Sequence, residues 1–274
     1  MNTATANKKT LNIILIVLLV YAAALSVFRG ILLFSDIDTV NGLYTNARTG
    51  AVFDTLLFVL VAMALLAGFY ARRFSFSRPI KNESVMAAFA ASVCALMMTA
   101  VLCANVFDMI TGKRAAGALL IAETALCVPS VIYFFRICSK GARADVSASE
   151  TYSLLPVFPA LYTAVRTVTL FIDTESQINS SQRSFLLLTL VFIMMFFITE
   201  AEFSVSHIQK KKNLAQTLTA KYIATGAVVV CLVFAVIAPY TVASAFWIYD
   251  PKNLIYNVMN LGFGLYASVR IFSV

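Results

Sequence analysis

Eight long apolar stretches constrain the fold of this 274-residue chain more than any other feature of its sequence. An α-helix needs about 20 apolar residues to cross the hydrocarbon core of a bilayer. Each stretch reaches or approaches that length: 11–34, 51–71, 85–107, 115–138, 154–172, 184–206, 222–246 and 255–272. The sequence therefore predicts an all-α fold, a polytopic bundle of about eight transmembrane helices.

The composition excludes other broad classes of protein. Hydrophobic residues make up 61% of the chain and charged residues 12%, whereas a soluble domain is about half apolar and about a quarter charged. This apolar content also excludes a disordered chain. The connections are short, so residues 1–274 are predicted to form a single integral membrane domain whose main partner is the lipid bilayer. No nucleic-acid partner is expected from the net charge of +8, because the basic residues occupy short loops.

The distribution of lysine and arginine predicts the orientation, because cytoplasmic loops carry an excess of both. With a cytoplasmic N-terminus, the inside segments hold fourteen of them: Lys8, Lys9, Arg72, Arg73, Arg78, Lys81, Arg136, Lys140, Arg143, Lys210, Lys211, Lys212, Lys221 and Arg270. The outside segments hold five: Arg48, Lys113, Arg114, Arg183 and Lys252. Both termini are therefore predicted to be cytoplasmic. The absence of a large ectodomain favours the cell membrane of a bacterium, the inner membrane, as the location.

A weak internal repeat has half the length of the chain. With an offset of 137 residues, 18–36 resembles 155–173, and the string Arg-x-x-x-Leu-Phe-x-Asp begins at Arg29 in one copy and at Arg166 in the other. Four spans per copy keep both copies in the same orientation. The sequence thus predicts two tandem four-helix halves, 1–137 and 138–274.

A second internal likeness conflicts with this repeat. The string Leu-Tyr-Thr-Ala-Val-Arg at 161–166 resembles Leu-Tyr-Ala-Ser-Val-Arg at 265–270. The two stretches that contain these strings are predicted to run in opposite directions through the membrane. We interpret this second likeness as a coincidence.

Polar side chains inside the apolar stretches are the candidate functional residues. A charged side chain costs about 2.5–3.5 kcal/mol in the middle of a span, so it needs a partner, a cavity or a nearby interface. The predicted binding residues are Arg29, Glu123, Tyr162, Arg166, Asn257 and Asn260, and all except Tyr162 lie in the outer halves of their stretches. Tyr162 and Arg166 share one helix face, and Asn257 and Asn260 form a polar stripe on another helix.

Two interpretations of these residues stay open. In the first, they line an outward-open polar cavity, where Arg29 and Arg166 bind an anion and Glu123 is a counter-ion or proton carrier. In the second, both arginines snorkel to outer headgroups, and Glu123 pairs with one of them for folding. A connected polar cavity that reaches past mid-membrane favours the first interpretation. Tightly paired charges against a packed core favour the second.

A second polar group is predicted near the cytoplasmic side. Glu200 and Arg270 lie late in their stretches at similar depth, and we expect them to form a charge pair, with Arg73 as the alternative partner of Glu200. A proton relay from Glu200 to His207 is a further alternative, because histidine titrates near neutral pH.

Residue size and proline content predict how the helices pack. The third and fourth stretches are rich in alanine, which permits close approach of backbones, so we expect them in the interior. The sixth stretch is rich in phenylalanine, including Phe192, Phe196 and Phe197, and is expected to face lipid or a partner. Prolines within stretches are expected to weaken their helices: Pro129, Pro159 and Pro239.

The sequence carries no motif of a known catalytic or cofactor site. There is no His-Glu-x-x-His or Gly-x-Ser-x-Gly pattern and no Cys-x-x-Cys pair, so we expect neither an enzyme nor a bound cofactor or metal. The leading hypothesis is a permease-like protein that binds or moves a small polar or anionic solute. The alternative is a membrane-embedded sensor or interaction subunit, which acts with a membrane protein partner and transports nothing itself.

Overall fold

The computed structural model describes residues 3–37, 44–72, 85–111, 117–140, 154–172, 181–209, 212–246 and 254–273. These residues form nine α-helices and one π-helical segment: α1 Thr3–Ser35, α2 Ala47–Ala71, α3 Val85–Ile110, α4 Ala118–Lys140, α5 Val157–Ile172, α6 Ser181–Gln209, α7 Lys212–Leu232, the π-helix Val233–Ile237, α8 Ala238–Ala245 and α9 Leu254–Ser273. They contain no β-strand, only an isolated antiparallel bridge between Ile37 and Tyr44. The prediction of an all-helical bundle is confirmed.

Six helical segments are long and apolar enough to cross a membrane: Lys9–Ser35, Ala47–Ala71, Val85–Ile110, Ala118–Ser139, Arg183–Phe203 and Thr217–Ala245. The last of these joins α7, the π-helix and α8 into one continuous helix. α5 is apolar but has only 16 residues, and α9 is not among the six. α5 is therefore too short to be counted, and α9 is long enough but contains Asn257, Asn260 and Arg270, which lower its mean hydropathy. The count of eight spans stays a prediction.

Large apolar side chains cover the outer surfaces of α1 to α4. Phe58 and Phe69 of α2 are 74% and 69% exposed, and similar side chains extend along the neighbouring helices. Soluble proteins rarely leave extensive apolar surface in water. The surface and the six apolar helices together indicate a membrane protein in contact with the bilayer.

The centre of the bundle is the continuous helix formed by α7, the π-helix and α8. In its most apolar 18-residue segment, 83% of the residues are buried, compared with 39% in α3 and 33% in α4. α1, α2, α6 and α9 pack around it. α2 lies close to it at Gly68, where a Cβ atom would lie 2.4 Å from the Cβ of Ala224. The expectation that the third and fourth stretches form the interior is therefore wrong.

The phenylalanines of α6 also face inward. Phe196 and Phe197 are buried, and their ring centroids lie 5.2 Å from Tyr222 and 5.3 Å from Phe263, respectively. Phe134 of α4 stacks on Phe263 at 5.9 Å. These rings form an aromatic core between α4, α6, α7 and α9, held by large buried areas and edge-to-face contacts. The expectation that these two phenylalanines face lipid or a partner is wrong.

The central helix changes its hydrogen-bond pattern at Val233–Ile237. The Ala238 N–H donates to the Val233 carbonyl five residues earlier, and Pro239, which has no N–H, follows directly. α9 passes close to this point, because a Cβ atom at Gly264 would lie 2.5 Å from Val233 Cγ1. Pro239 thus accompanies a local irregularity, as predicted.

The other two predicted prolines leave their helices continuous. Pro159 lies in the first turn of α5, where its missing N–H has no partner to lose. Pro129 lies inside α4, which continues from Ala118 to Lys140. Neither proline divides its helix into two segments.

Candidate functional site

Two groups of buried polar side chains lie along α9, near its opposite ends. The Glu123 cluster consists of Asn105, Glu123, Tyr162, Arg166, Tyr256, Asn257 and Asn260. The Glu200 cluster consists of Tyr133, Glu200, Tyr266 and Arg270. At 1.5 Å per residue, Asn257 and Arg270 are about 20 Å apart along the axis of α9. The bundle therefore contains two separate polar sites.

The centre of the Glu123 cluster is a buried ion pair between α4 and α5. Arg166 Nη1 lies 3.6 Å from Glu123 Oε1, and the two side chains are 3% and 0% exposed. The Tyr162 hydroxyl donates to the same carboxylate oxygen at 3.4 Å. Both distances exceed the roughly 2.7–2.9 Å of a strong hydrogen bond between charged groups. The pair is thus buried but loosely closed.

α9 and α3 complete the cluster. Arg166 Cζ lies 3.5 Å from the centroid of the Tyr256 ring, a close cation–π contact. The Tyr256 hydroxyl donates to Asn105 Oδ1 at 2.7 Å. Tyr256 was missed by the sequence analysis because it is one of many aromatic residues in apolar stretches. Its position next to Asn257, in the predicted polar stripe, was the available signal.

Four buried polar atoms of this cluster have no hydrogen-bond partner among the described residues: Glu123 Oε2, Asn105 Nδ2, Asn257 Nδ2 and Asn260 Oδ1. More than 90% of buried polar groups in proteins are bonded, because an unsatisfied one costs about 1–3 kcal/mol. The four atoms comprise two donors and two acceptors. A water molecule or a small polar ligand would find both kinds of partner here.

A narrow cavity borders the cluster. Its lining combines Arg166, Tyr256, Asn257 and Asn260 with the apolar residues Leu170, Leu186, Leu190 and Met259. The space open to the centre of a water molecule is about 10 Å³, which corresponds to about one water. The structure therefore brings Arg166, Asn257 and Asn260 together around a narrow space, where the sequence analysis predicted an outward-open cavity. Glu123 contacts Arg166 but does not line this space.

Arg29 occupies a different part of the bundle. It is fully buried, and its guanidinium lies 4.9 Å from the ring centroid of Phe53 and 5.8 Å from that of Phe185. It does not line the cavity of Arg166. α1 packs against α2, α7 and α8, whereas α5 packs against α4 and α6. The two copies of the Arg-x-x-x-Leu-Phe-x-Asp string therefore have different neighbours. The prediction of one shared cavity for both arginines needs this correction.

Arg29 is held by Tyr44 as well as by the two phenylalanines. Its Nη1 donates to the Tyr44 hydroxyl, which in turn donates to Asp54 Oδ1 at 3.4 Å. Burial raises the pKa of Tyr44 to about 12, so this hydroxyl keeps its proton at neutral pH. Because Arg29 and Arg166 are both buried, the expectation that they snorkel to headgroups is wrong. The other part of that interpretation, a pair between Glu123 and one of the arginines, is present.

The Glu200 cluster is closed much more tightly. Arg270 donates to Glu200 Oε1 through Nη2 at 2.6 Å and through Nε at 2.8 Å. The Tyr266 hydroxyl donates to the same oxygen at 2.9 Å and accepts from the Tyr133 hydroxyl at 2.9 Å. The structure thus brings together Glu200 and Arg270, the two residues that the sequence analysis paired. The alternative partner Arg73 and the side chain of His207 lie outside the described residues.

The two clusters share one local arrangement. In each, a tyrosine and an arginine four residues later contact the same oxygen of a glutamate from another helix. The helical residues are Tyr162 and Arg166 in one cluster and Tyr266 and Arg270 in the other. These residues belong to the strings 161–166 and 265–270, whose likeness therefore has a counterpart in side-chain geometry. The tandem repeat of 137 residues stays a prediction.

Comparisons of the chain with models of protein families, with curated proteins and with solved structures found no match. Within the described part of the chain, no three His, Cys, Asp or Glu side chains are grouped so that they could hold a metal ion. The chemistry of the site is that of one guanidinium, one carboxylate, three amides and two phenols.

Proposed function

We propose that the chain is a permease-like multi-pass protein of the cell membrane, which binds a small polar or anionic solute at the Glu123 cluster and moves it across the bilayer. In this proposal all eight helical segments cross the membrane, with both termini in the cytoplasm. The observation that carries it is the contrast between the two buried charge pairs.

A charge pair that serves only folding should close fully. Burial of two charges is compensated only by good geometry and by further hydrogen bonds to the charged groups. The pair of Glu200 and Arg270 meets this requirement at 2.6 Å, with Tyr266 on the same oxygen. The pair of Glu123 and Arg166 does not, because Arg166 Nη1 and Glu123 Oε1 are separated by 3.6 Å. The difference supports a site whose missing partner comes from outside the chain.

The narrow cavity is consistent with a closed form of such a site. A solute larger than water requires the lining residues of α6, Leu186 and Leu190, to move away from Arg166. The π-helix beside Gly264 supports this motion, because π-helical turns and proline weaken the regular hydrogen bonding of a helix. Interrupted helices at binding sites are also a common feature of transporters.

The small size of the cavity favours a second candidate, a membrane-embedded sensor or interaction subunit. In that case the loose pair changes its contacts when a small ligand or a partner binds, and no solute crosses the membrane. Binding without transport distinguishes this candidate from the permease.

Uptake into lipid vesicles that contain the purified protein tests the proposal. The panel comprises labelled amino acids, sugars, monocarboxylates and inorganic anions, each compared with protein-free vesicles. We expect at least one solute to enter, and Arg166→Gln to lower its uptake about tenfold or more, because a hydrogen bond to a charged group contributes about 1.5–3 kcal/mol.

Arg48→Gln is the matched control, because Arg48 is exposed near the start of α2. It should leave uptake unchanged. No uptake of any solute, or uptake that Arg166→Gln does not reduce, contradicts the permease. A solute that raises the melting temperature of wild type but not of Arg166→Gln, and yet does not enter vesicles, supports the sensor.

A further inference from the structure

If the chain moves a solute as proposed above, the residues that line the cavity restrict the chemical class of that solute. We propose that the Glu123 cluster takes up a small monovalent organic anion together with one proton, the anion on Arg166 and the proton on Glu123.

The polar residues that line the cavity favour an anion as the solute. Arg166 is the one charged residue among the eight described residues that line the cavity. Asn257 lines it too, and its Nδ2 donor has no hydrogen-bond partner among the residues that the structure describes. An anionic oxygen therefore meets a guanidinium and an amide donor, which are suitable partners for a carboxylate. An ammonium group would meet no carboxylate in this wall.

The apolar lining residues of the cavity select an organic anion. Leu170, Leu186, Leu190 and Met259 supply the apolar part of the lining. A small inorganic anion would lose its hydration beside these residues and gain little, whereas a short hydrocarbon group gains from burial against them. A single arginine neutralises one negative charge and not two. Together, the polar and the apolar lining residues fit a short monocarboxylate.

Charge balance indicates the proton. Without solute, the positive charge of Arg166 is balanced by Glu123 at 3.6 Å. An anion on Arg166 would give the buried cluster one net negative charge, which a low-dielectric interior strongly disfavours. A proton on Glu123 removes that charge and frees the guanidinium for the anion. Oε2 is suited to receive it, because this oxygen accepts no hydrogen bond from the described residues.

The neighbours of Glu123 support a proton that is coupled to the anion. α5 contributes Arg166 and Tyr162, while α3 contributes the neutral amide of Asn105 to the same cluster. Cys127 lies one turn along α4, and Tyr256 of α9 faces Arg166 and Tyr162. Arg166 is the charged group among these described neighbours. Anion binding to Arg166 therefore favours protonation of Glu123, and protonation favours anion binding to the same extent.

Vesicles that contain wild-type protein and an internal pH dye test the coupling. Pyruvate or lactate is added outside while the membrane potential is held at zero. We expect the interior to acidify faster than in protein-free vesicles, which measure the passage of the free acid through lipid. The rate should stay the same when an inside-negative potential is applied, because one anion with one proton carries no net charge. Chloride should produce no acidification.

Glu123→Gln separates the proton from the anion, because a neutral amide resembles the protonated carboxyl. We expect net uptake driven by a pH gradient to fall about tenfold or more, while exchange of internal for external pyruvate persists. Arg166→Gln should lose both activities. Glu202→Gln is the matched control, because the Glu202 side chain is 44% exposed, and it should lose neither.

The possible outcomes are distinguishable. Uptake of pyruvate or lactate by the wild type without acidification contradicts the coupling of the anion to a proton. This measurement requires no variant. Net uptake that Glu123→Gln leaves unchanged overturns the role of Glu123. Uptake of another solute from the panel, but of neither monocarboxylate, contradicts the proposed solute class but not the proposed permease function. No uptake of any solute overturns the proposed function itself.

Discussion

Arg166 Nη1 lies 3.6 Å from Glu123 Oε1, although both side chains are almost completely buried. Elsewhere in the bundle, Arg270 Nη2 lies 2.6 Å from Glu200 Oε1. In both pairs, a tyrosine one turn before the arginine donates to the same carboxylate oxygen. The residue types are thus the same, and the difference lies in how closely the donors approach the oxygen. The two glutamates should respond differently to substitution.

Glu200→Gln should strongly destabilise the protein. The change leaves the Arg270 charge buried without its counter-ion, which costs about 3–5 kcal/mol when one partner of a buried pair is removed. Reversible unfolding in mixed detergent micelles measures the change in the free energy of unfolding.

Glu202→Gln on the same helix is the control for this measurement. Its ion pair with Lys221 is 3.9 Å long and exposed, so its loss should cost less than about 1 kcal/mol. The double variant Glu200→Leu with Arg270→Met should recover part of the stability, because no unpaired charge stays behind. Equal stability of Glu200→Gln and Glu202→Gln would refute a structural role for the closed pair.

Tyr256 is predicted to act on solute affinity mainly through its ring. Tyr256→Phe keeps the ring under the Arg166 guanidinium and removes the hydroxyl that donates to Asn105. Tyr256→Leu removes the cation–π contact as well, which contributes about 2 kcal/mol at a desolvated site. The apparent affinity for a transported solute should therefore fall about tenfold or more in Tyr256→Leu and less in Tyr256→Phe. The opposite order would show that the hydroxyl, and not the ring, positions Arg166.

The helices were predictable because an apolar stretch of sufficient length is a local property of the sequence. The interior helices were not, because lipid and protein interior are both apolar and select similar side chains. Phe196 and Phe197 illustrate this limit, since phenylalanine fits an aromatic core as well as a lipid-facing surface. Alanine content was no better guide to burial in the centre, because the alanine-rich α3 and α4 pack against each other, yet only 39% and 33% of the residues in their most apolar segments are buried.

Site residues were predictable where depth alone decides their partners. Glu200 and Arg270 were paired because they lie at the same level near one end of the bundle, and they meet at 2.6 Å. Arg29 and Arg166 also lie at similar depth within matching strings, and both contact aromatic rings, but they do so in different parts of the bundle. Arg166 in addition pairs with the carboxylate of Glu123. The order of helices around the bundle decides that difference, and a single sequence does not contain it.

The predicted topology can be tested with single cysteines in a background that lacks the five native ones. Arg48 and Arg136 are both exposed, and the charge distribution places Arg48 outside the cell and Arg136 inside. An impermeant thiol reagent added to intact cells should label Arg48→Cys, and label Arg136→Cys only after the membrane is opened. Labelling of both positions in intact cells, or of Arg136→Cys alone, would contradict the orientation.

Gly264→Ala should destabilise the contact between α9 and the π-helix. An added Cβ would lie 2.5 Å from Val233 Cγ1 and 2.8 Å from Val233 Cβ, so the backbones must separate at a cost of about 1–3 kcal/mol. Gly262→Ala on the same helix is the matched control. There the nearest atom to the new Cβ is Cys94 Sγ at an ordinary 3.6 Å, so the free energy of unfolding should hardly change.

Val233→Ala provides the complementary test of this contact, because it removes the two Cγ atoms that face Gly264. In the double variant, the loss from Gly264→Ala should be smaller than in the single variant. The interaction free energy from the double-mutant cycle should be about 0.5–3 kcal/mol for residues in direct contact. Additive effects of the two changes would mean that α9 does not approach the π-helix as closely as the structure places it.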